Sequence, residues 1–242
     1  MNCSHIREQF PALSQKVYGK PLVYLDNGAT TQKPRQVLDV LQEMQGGLNG
    51  NIHRAVHYLS VQCTERYEKA RTTIREFINA ASADEVIFTS GTTASLNLLA
   101  YSFGQTYIRP GDRIVVTGAE HHSNIVPWQM MCKRTGASLE VWDIDDSGAM
   151  DPKKLEQILD KPGEKPILLS IAHISNVLGL VNPLADIIRI AHYYNVPVAV
   201  DGAQGIVHKK VDVRDMDADF YVFPGHKLYG PTGKGVLDGK EK

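Results

Sequence analysis

The stretch Pro197–Gly205 reads PVAVDGAQG, an apolar run followed by an aspartate and a short glycine-rich turn. An apolar run of this kind predicts a strand that is buried on both faces, as strands of parallel sheets are. Asp201 stands at the carboxyl end of that strand, where burying a carboxylate is costly unless it has a partner. The stretch therefore predicts a parallel α/β sheet with a polar site beyond its carboxyl edge.

The rest of the chain alternates strands with helices. The predicted strands are Val86–Ser90, Arg113–Thr117, Leu139–Asp143, Ile167–Ile171, Pro197–Asp201 and Asp219–Phe223. The predicted helices are Ser60–Asn79, Ala94–Tyr107, Ile125–Thr135, Asp151–Leu159 and Leu184–Asn195. This alternation predicts an α/β fold, a mostly parallel sheet with helices on both faces. Residues 1–22 are expected to form an N-terminal arm, and residues 23–242 a large domain.

Composition excludes several classes of protein. Lys and Arg number 26 and Asp and Glu 27 among 242 residues, a balance that indicates neither a nucleic-acid partner nor a basic membrane-binding face. No apolar run reaches the roughly 18 residues of a membrane helix, and the N-terminus has no apolar signal core. The three cysteines, Cys3, Cys63 and Cys132, form neither a disulfide framework nor a zinc pattern. We expect a cytoplasmic protein without a metal.

Two motifs follow the first two predicted strands. SGTTAS, Ser90–Ser95, opens a helix, where backbone N–H groups and the hydroxyls of Thr92 and Thr93 suit a phosphate. Either threonine could instead be a plain helix cap. EHHSNIVPW, Glu120–Trp128, carries adjacent histidines, and an imidazole there could lie over an aromatic cofactor and exchange protons near neutral pH. The alternative is a pair of solvated loop histidines.

Two further motifs follow the last two predicted strands. In DGAQG, Asp201 could pair with a protonated pyridine nitrogen and Gln204 could donate to a phenolate oxygen, although Asp201 could also cap the next helix. In PGHKLYGPTGKG, Pro224–Gly235, Lys227 lies in a glycine-bounded turn, where partial removal from water would lower its pKa and favour an imine with an aldehyde. An exposed loop lysine is the alternative. Together, the four motifs predict a pyridoxal 5'-phosphate (PLP) site of the fold-type-I architecture.

The same stretches resemble a known family. YLDNGATTQKP (Tyr24–Pro34), HRAVHYLS (His53–Ser60), SGTT, EHHSNIVPWQ, HISNVLG (His173–Gly179), VDGAQ and GHKLYGPTG are similar to class V aminotransferase-like enzymes, and most of all to SufS-type cysteine desulfurases. The resemblance spans nearly the whole chain. It implies the large domain of a fold-type-I PLP-dependent transferase, a homodimer that takes L-cysteine, releases L-alanine, and passes sulfur through an enzyme cysteine to an acceptor protein for iron–sulfur cluster assembly.

The resemblance also implies roles for particular residues. Lys227 would form the Schiff base, and Asp201 and His121 would complete the catalytic set. The implied cofactor-binding residues are Thr92, Thr93, His121, Asn176, Asp201, Gln204, His226 and Lys227. The implied substrate-binding residues are Asn176, His53 and Ala29.

Three departures from the family pattern bear on function. Pro224 stands where the family usually has a phosphate-binding serine, and Ala94 where it often has glutamate. Family members also run on well beyond Lys242, through the nucleophilic cysteine, a carboxylate-binding arginine and a small C-terminal domain. None of Cys3, Cys63 and Cys132 matches that nucleophile. The resemblance therefore implies an incomplete large domain that forms no persulfide by itself.

Two other functions remain open from the sequence. A selenocysteine lyase or another class V PLP lyase would share most of these motifs, and relative activity on cysteine and selenocysteine would separate it from a desulfurase. A non-catalytic fragment that binds PLP is the third hypothesis, and alanine release from cysteine would exclude it.

Overall fold

The computed structural model of the chain describes residues 4–161 and 166–241. Its strands are β1 (Lys16–Val17), β2 (Lys20–Pro21), β3 (Val86–Thr89), β4 (Arg113–Thr117), β5 (Ser138–Trp142), β6 (Pro166–Ala172), β7 (Val198–Asp201), β8 (Phe220–Pro224) and β9 (Gly235–Gly239). Its helices are α1 (Ser4–Arg7), α2 (Arg35–Gly46), α3 (Tyr58–Ile78), α4 (Thr92–Tyr107), α5 (Val126–Thr135), α6 (Pro152–Leu159), α7 (Leu184–Tyr193), α8 (Gly205–His208) and α9 (Val213–Met216).

The main sheet has seven strands in the order β3-β9-β8-β7-β6-β4-β5. The strands from β5 to β8 along this order are parallel, and β9 lies antiparallel between β8 and β3. The mostly parallel α/β fold predicted from the sequence is confirmed. The sequence did not predict β9, because Gly235, Gly239 and Asp238 give it the composition of a loop.

The sheet is buried on both faces, as its apolar strands predicted. Successive residues of one strand belong to opposite cores: Leu168 packs in the core with α4 and α5, and Leu169 in the core with α6 and α7. In β7, Val198 and Val200 face one core and Ala199 the other. The period-two alternation of side chains requires this arrangement when helices cover both faces. Packing in the two cores therefore determines on which face of the sheet the last side chain of each strand lies.

One helix near the cleft begins earlier than the sequence predicted, and another helix was not predicted. α4 begins at Thr92, two residues before the predicted start, because Gly91 is its N-cap with a φ of 145°. Neither Thr92 nor Thr93 is therefore the cap that the simpler interpretation of this motif offered. α2 was not predicted, although Val37, Leu41 and Met44 recur at the spacing of an amphipathic helix. None of its residues is buried in the described chain.

The first residues form structure separate from the main sheet. α1 precedes a hairpin of β1 and β2, and these two strands make a sheet of their own. The hairpin turns at Tyr18 and Gly19, both with positive φ. The guanidinium of Arg7 donates to the carbonyls of Leu13 at 2.8 Å and Leu22 at 2.6 Å, which ties this segment to itself.

Asp238 is a buried carboxyl group in β9. It is 3% exposed, and its Oδ1 atom has no hydrogen-bond partner among the described residues. Burial, together with the nearby charge of Glu85, raises the pKa of Asp238 to about 7. Because the pKa is higher in the folded chain than in the unfolded one, stability from this group is present at low pH and lost as pH rises from about 4 to about 7.

Replacing Asp238 with asparagine should therefore stabilise the chain at pH 8 more than at pH 5. Removing the buried charge should raise the free energy of unfolding at pH 8 by about 4 kcal/mol, since the pKa is raised by about three units and each unit is equivalent to about 1.4 kcal/mol. Urea unfolding at both pH values measures this. Asp146→Asn, at an exposed position, is the control. The same effect of Asp238→Asn at both pH values would contradict this account of the site.

Candidate active site

A cleft of about 1110 Å³ opens at the edge of the sheet where the parallel strands end. Its walls come from the residues that follow β3, β4, β6, β7 and β8 and from an N-terminal segment. Its lining includes Leu25, Asp26, Gly28, Ala29, Ser90, Gly91, Thr92, Thr93, Ala94, Asn97, His121, Ser123, Ala172, Ile174, Asn176, Asp201, Ala203, Gln204, Pro224, His226, Lys227 and Gly233. The cleft therefore lies where ligands bind in sheets of this type.

Lys227 lies on a tight turn that follows β8. The N–H groups of Leu228 and Gly230 both donate to the Gly225 carbonyl, at 3.0 and 2.9 Å. A Cβ atom at Gly230 would lie 2.9 Å from that carbonyl oxygen, so the turn requires glycine there. Burial lowers the pKa of Lys227, and the negative charge of Asp201 acts in the opposite direction. A larger fraction of this amine is therefore neutral and nucleophilic than in an exposed lysine.

Asp201 ends β7 inside the cleft wall. It is 5% exposed, and its Oδ1 atom accepts a hydrogen bond of 2.9 Å from the Ala203 N–H. Burial raises its pKa, while that hydrogen bond and the positive charges of Lys227 and His121 lower it. The helix that follows, α8, has Gln204 as its N-cap, so Asp201 is not a helix cap. A buried carboxylate of this kind suits a cationic ligand group.

The other end of the cleft presents donors at the start of α4. The first N–H groups of a helix have no partner inside the helix, and here they belong to Thr92, Thr93 and Ala94, since Ser95 already donates to Gly91. The Thr92 hydroxyl is buried and has no hydrogen-bond partner within the described residues. Such a group is costly to bury unless a ligand pairs with it. This end of the cleft therefore suits an anion.

β9 brings the α4 end of the cleft close to the Lys227 turn. Gly235 pairs with Thr89 of β3 on one side and with Pro224 of β8 on the other. A Cβ atom at Gly235 would lie 2.5 Å from the Cα atom of Gly91, so only glycine allows this approach. Pro224 lines the cleft with neither a hydroxyl nor an N–H. Burial lowers the pKa of the neighbouring His226 imidazole.

His121 lies on the turn that follows β4 and also lines the cleft. Its Nδ1 atom accepts a hydrogen bond of 3.1 Å from the Ser123 N–H and lies 2.8 Å from the Ser123 hydroxyl. An Nδ1 atom that accepts from an N–H carries no proton, so a neutral His121 ring holds its proton on Nε2. These two contacts join the ring to Ser123 on the same turn.

Glu120, which the sequence analysis did not single out, lies behind His121. It accepts hydrogen bonds from the Thr117 hydroxyl at 2.5 Å, the Asn124 amide at 2.6 Å and the Ala172 N–H at 2.9 Å. Burial raises the pKa of Glu120 to about 7, against the effect of these donors. The spacing Thr117-x-x-Glu120-x-x-x-Asn124 is the only trace of this network in the sequence, and such spacing is common in turns.

An N-terminal segment, residues 26–33, closes one side of the cleft. The side-chain amide of Gln204 donates to the Gly28 carbonyl at 2.9 Å, which leaves its second N–H free of that bond. Ala29 also lines the cleft, as does Asn176 on the far wall. The predicted set of Thr92, Thr93, His121, Asn176, Ala29, Asp201, Gln204, His226 and Lys227 is therefore brought to one cleft.

His53 is the predicted site residue that the structure places elsewhere. It is not part of the lining of the cleft; its Nε2 atom lies 3.1 Å from a carboxylate oxygen of Glu68, and its ring contacts Tyr67 edge-on. The His53 N–H also donates to the Thr64 hydroxyl of α3 at 3.0 Å. Within one chain, His53 is therefore a surface residue paired with α3.

The two described cysteines also lie away from the cleft. Cys63 is 4% exposed on α3 and Cys132 is 7% exposed on α5, and burial raises the pKa of the Cys132 thiol. Cys3 lies outside the described residues. Over residues 4–161 and 166–241, no group of three His, Cys, Asp or Glu side chains is placed to hold a metal ion. No helix in that same part of the chain is long and apolar enough to cross a membrane.

Several known proteins are similar to this chain. A cysteine desulfurase from Cronobacter sakazakii is 48% identical over 237 residues, which make up 98% of this chain and 58% of that relative. A cysteine desulfurase from Shigella sonnei is 50% identical over 236 residues, with coverage of 98% and 57%. The chain thus spans a little over half the length of these relatives.

Solved structures agree with these relatives. The cysteine desulfurase CsdA from Escherichia coli has a TM-score of 0.86 at 40% identity, covering 99% of this chain and 58% of its own. An apo cysteine desulfurase from Thermococcus onnurineus has a TM-score of 0.89 at 35% identity, covering 98% and 56%. A family model described as "Aminotransferase class-V" matches residues 23–242. The chain therefore belongs to the class-V aminotransferase family, whose cysteine desulfurases depend on PLP.

Proposed function

We propose that this chain is the cofactor-binding part of a PLP-dependent cysteine desulfurase, which converts L-cysteine to L-alanine and passes the sulfur onward. The observation that carries the proposal is the cleft itself, in which the buried Asp201, the half-buried Lys227 amine and the start of α4 all face one space. A cation partner, an amine for an aldehyde and an anion site are the three features that PLP requires of a protein.

The residues present fit PLP. The unpaired, buried Thr92 hydroxyl and the free N–H groups at the start of α4 would hold its phosphate, and His226 lies at the same end. Asp201 would hold the proton on its ring nitrogen, and the free N–H of Gln204 would donate to its ring oxygen. When bound, PLP supplies an aldehyde that takes up an amino group covalently and a ring that withdraws electrons from the carbon next to it.

The chain's own side chains would then handle protons. The Lys227 amine, with its lowered pKa, can take a proton from the substrate Cα atom and return it on the same side of the site. His121, with its proton on Nε2 and its Nδ1 atom occupied by Ser123, can donate a proton within the cleft. Asn176 and Ala29 line the part of the cleft where the substrate would lie.

Sulfur transfer requires a thiolate that reaches the substrate. Cys63 and Cys132 are buried on helices outside the cleft, so neither supplies that thiolate in the proposed reaction. The finer parts of the proposal rest on the family resemblance: a homodimer, a cytoplasmic location, and an acceptor protein that takes the sulfur for iron–sulfur cluster assembly. L-cysteine is the proposed substrate because the named relatives are cysteine desulfurases.

Lys227 should be the residue that PLP modifies. After loading with PLP and reduction with borohydride, peptide mapping should find the pyridoxyl group on Lys227, because this amine is the one whose pKa is lowered beside Asp201. Lys33→Arg should keep the label and Lys227→Arg should lose it. The loaded chain should also exchange the Cα hydrogen of L-alanine in deuterium oxide, and Lys227→Arg should not. A label on Lys33 or Lys234, or exchange unaffected by Lys227→Arg, would contradict the proposal.

Thr31 holds the turn that presents Lys227. Thr31 is 4% exposed, and its hydroxyl donates to the His226 carbonyl at 3.0 Å and accepts from the Tyr229 N–H at 2.9 Å. Its own N–H donates to the same carbonyl at 2.9 Å. The hydroxyl thus links the backbone before Lys227, at the His226 carbonyl, to the backbone after it, at the Tyr229 N–H, as hydrogen bonds from a neighbouring strand would.

Thr31→Val should weaken PLP binding several-fold and lower the free energy of unfolding by about 1–3 kcal/mol, because a buried N–H loses its acceptor at nearly constant volume. Thr31→Ser keeps the hydroxyl and should resemble the parent chain. Thr30→Val is a matched control, since the Thr30 hydroxyl makes only one longer bond of 3.3 Å to the same carbonyl. PLP titration and urea unfolding measure both effects. A serine variant as weak as the valine variant would show that the hydroxyl bridge is unimportant.

A further inference from the structure

Glu120 and Asn124 bracket the turn that carries His121. Asn124 is fully buried, and its amide Nδ2 atom donates to Glu120 Oε2 at 2.6 Å. Between them, the Asn124 N–H donates to the His121 carbonyl at 2.8 Å. Two hydrogen bonds of Asn124 therefore span the His121 turn: one joins its side chain to Glu120, and the other joins its N–H to the His121 carbonyl.

The orientation of the Asn124 amide is fixed by its other partners. Its Oδ1 atom accepts from the Trp128 Nε1–H at 3.2 Å and from the Ser170 hydroxyl at 2.6 Å. An indole N–H can only donate, so the amide oxygen must face Trp128 and the amide nitrogen must face Glu120. Both Glu120 oxygens therefore act as acceptors in this network.

The other hydrogen-bond partners of Glu120 and Asn124 lie in strands and a helix outside the His121 turn. Glu120 Oε1 accepts from the Thr117 hydroxyl at the end of β4 and from the Ala172 N–H at the end of β6. Ser170 lies within β6 and Trp128 within α5, and both are fully buried. Hydrogen bonds of Glu120 and Asn124 thus connect the His121 turn to β4, β6 and α5.

We infer that Glu120 and Asn124 are positioning residues, which hold the His121 ring in place against the PLP ring of the proposed function. The inference rests on that proposed function, because it assigns a purpose to His121 that only a bound cofactor gives it. Glu120 itself is absent from the lining of the cleft, so it acts through His121.

A residue that only held the loop in place would not need a buried carboxylate with several hydrogen bonds. The interior around Glu120 disfavours its charge, as its pKa of about 7 indicates, and an apolar residue would hold the loop without that cost. A network of directed hydrogen bonds instead specifies one geometry, which is what a ring facing a cofactor needs. Positioning therefore accounts for the presence of a carboxylate here.

The test exchanges the donor and the acceptor of the hydrogen bond between Glu120 and Asn124. Glu120→Gln places an amide N–H against the Asn124 amide N–H, and Asn124→Asp places two carboxylates against each other. The double variant Glu120→Gln/Asn124→Asp restores one donor and one acceptor, and its aspartate still accepts from Trp128 and Ser170. Glu156→Gln, at an exposed position on α6, is the matched control. Far-UV circular dichroism establishes that each variant is folded.

The readouts are the visible circular dichroism of bound PLP and its dissociation constant. Each single variant should lose at least half of the visible signal and bind PLP about tenfold more weakly, the loss expected for one hydrogen bond to a charged group. The double variant should recover both values to within about twofold, and Glu156→Gln should not change them. Single variants that equal the parent chain, or a double variant no better than the singles, would overturn the inference.

Two further arms keep the outcome clear. If a single variant does not fold, Ser170→Ala carries the test, since it removes one anchor of Asn124 without touching the cleft. It should lower the visible signal of bound PLP, and an unchanged signal would overturn the inference. If the parent chain binds no PLP, the proposed function fails. The interaction between Glu120 and Asn124 is then tested by urea unfolding of the chain without PLP, in which the double variant should recover the free energy of unfolding that each single variant loses.

Discussion

The candidate site depends on a buried carboxylate, Asp201, and a half-buried amine, Lys227, whose charges act on each other. Neither group is stable in an apolar interior by itself, since each loses the solvation of its charged form. The two lie at the ends of adjacent parallel strands, β7 and β8, so the sheet delivers both side chains to the same edge. Their opposite effects on each other's pKa show that they share one electrostatic environment.

A second layer of contacts holds this pair in place, and backbone groups dominate it. Thr31 joins the two sides of the Lys227 turn, Gln204 reaches the Gly28 carbonyl, and Glu120 ties the His121 turn to the ends of β4 and β6. These contacts come from parts of the chain far apart in sequence. Hydrogen bonds thus join the N-terminal segment and the loops of the cleft to the edge of the sheet.

The sequence predicted the sheet and the cleft residues well, and the reasons are local. Apolar strand runs and the residues directly after them can be identified within a short window, so Asp201, Lys227, His121 and Thr92 could be found without coordinates. Glu120 and Thr31 could not, because their importance comes from hydrogen bonds to partners at the ends of other strands. β9 was missed since its glycines serve a close approach to Gly91, which no window of sequence contains. His53 was assigned to the site by resemblance, and the structure places it against α3.

The central claim is that Asp201 keeps the ring nitrogen of bound PLP protonated, and nitrogen-15 NMR of PLP labelled at that nitrogen tests it most directly. In the parent chain, the shift should be that of a protonated pyridine, and in Asp201→Asn it should move to that of a neutral one, because asparagine carries no charge to hold the proton. Asp146→Asn, at an exposed position, should leave the shift unchanged. A protonated ring in both the parent and Asp201→Asn, or a neutral ring in the parent, would contradict the account.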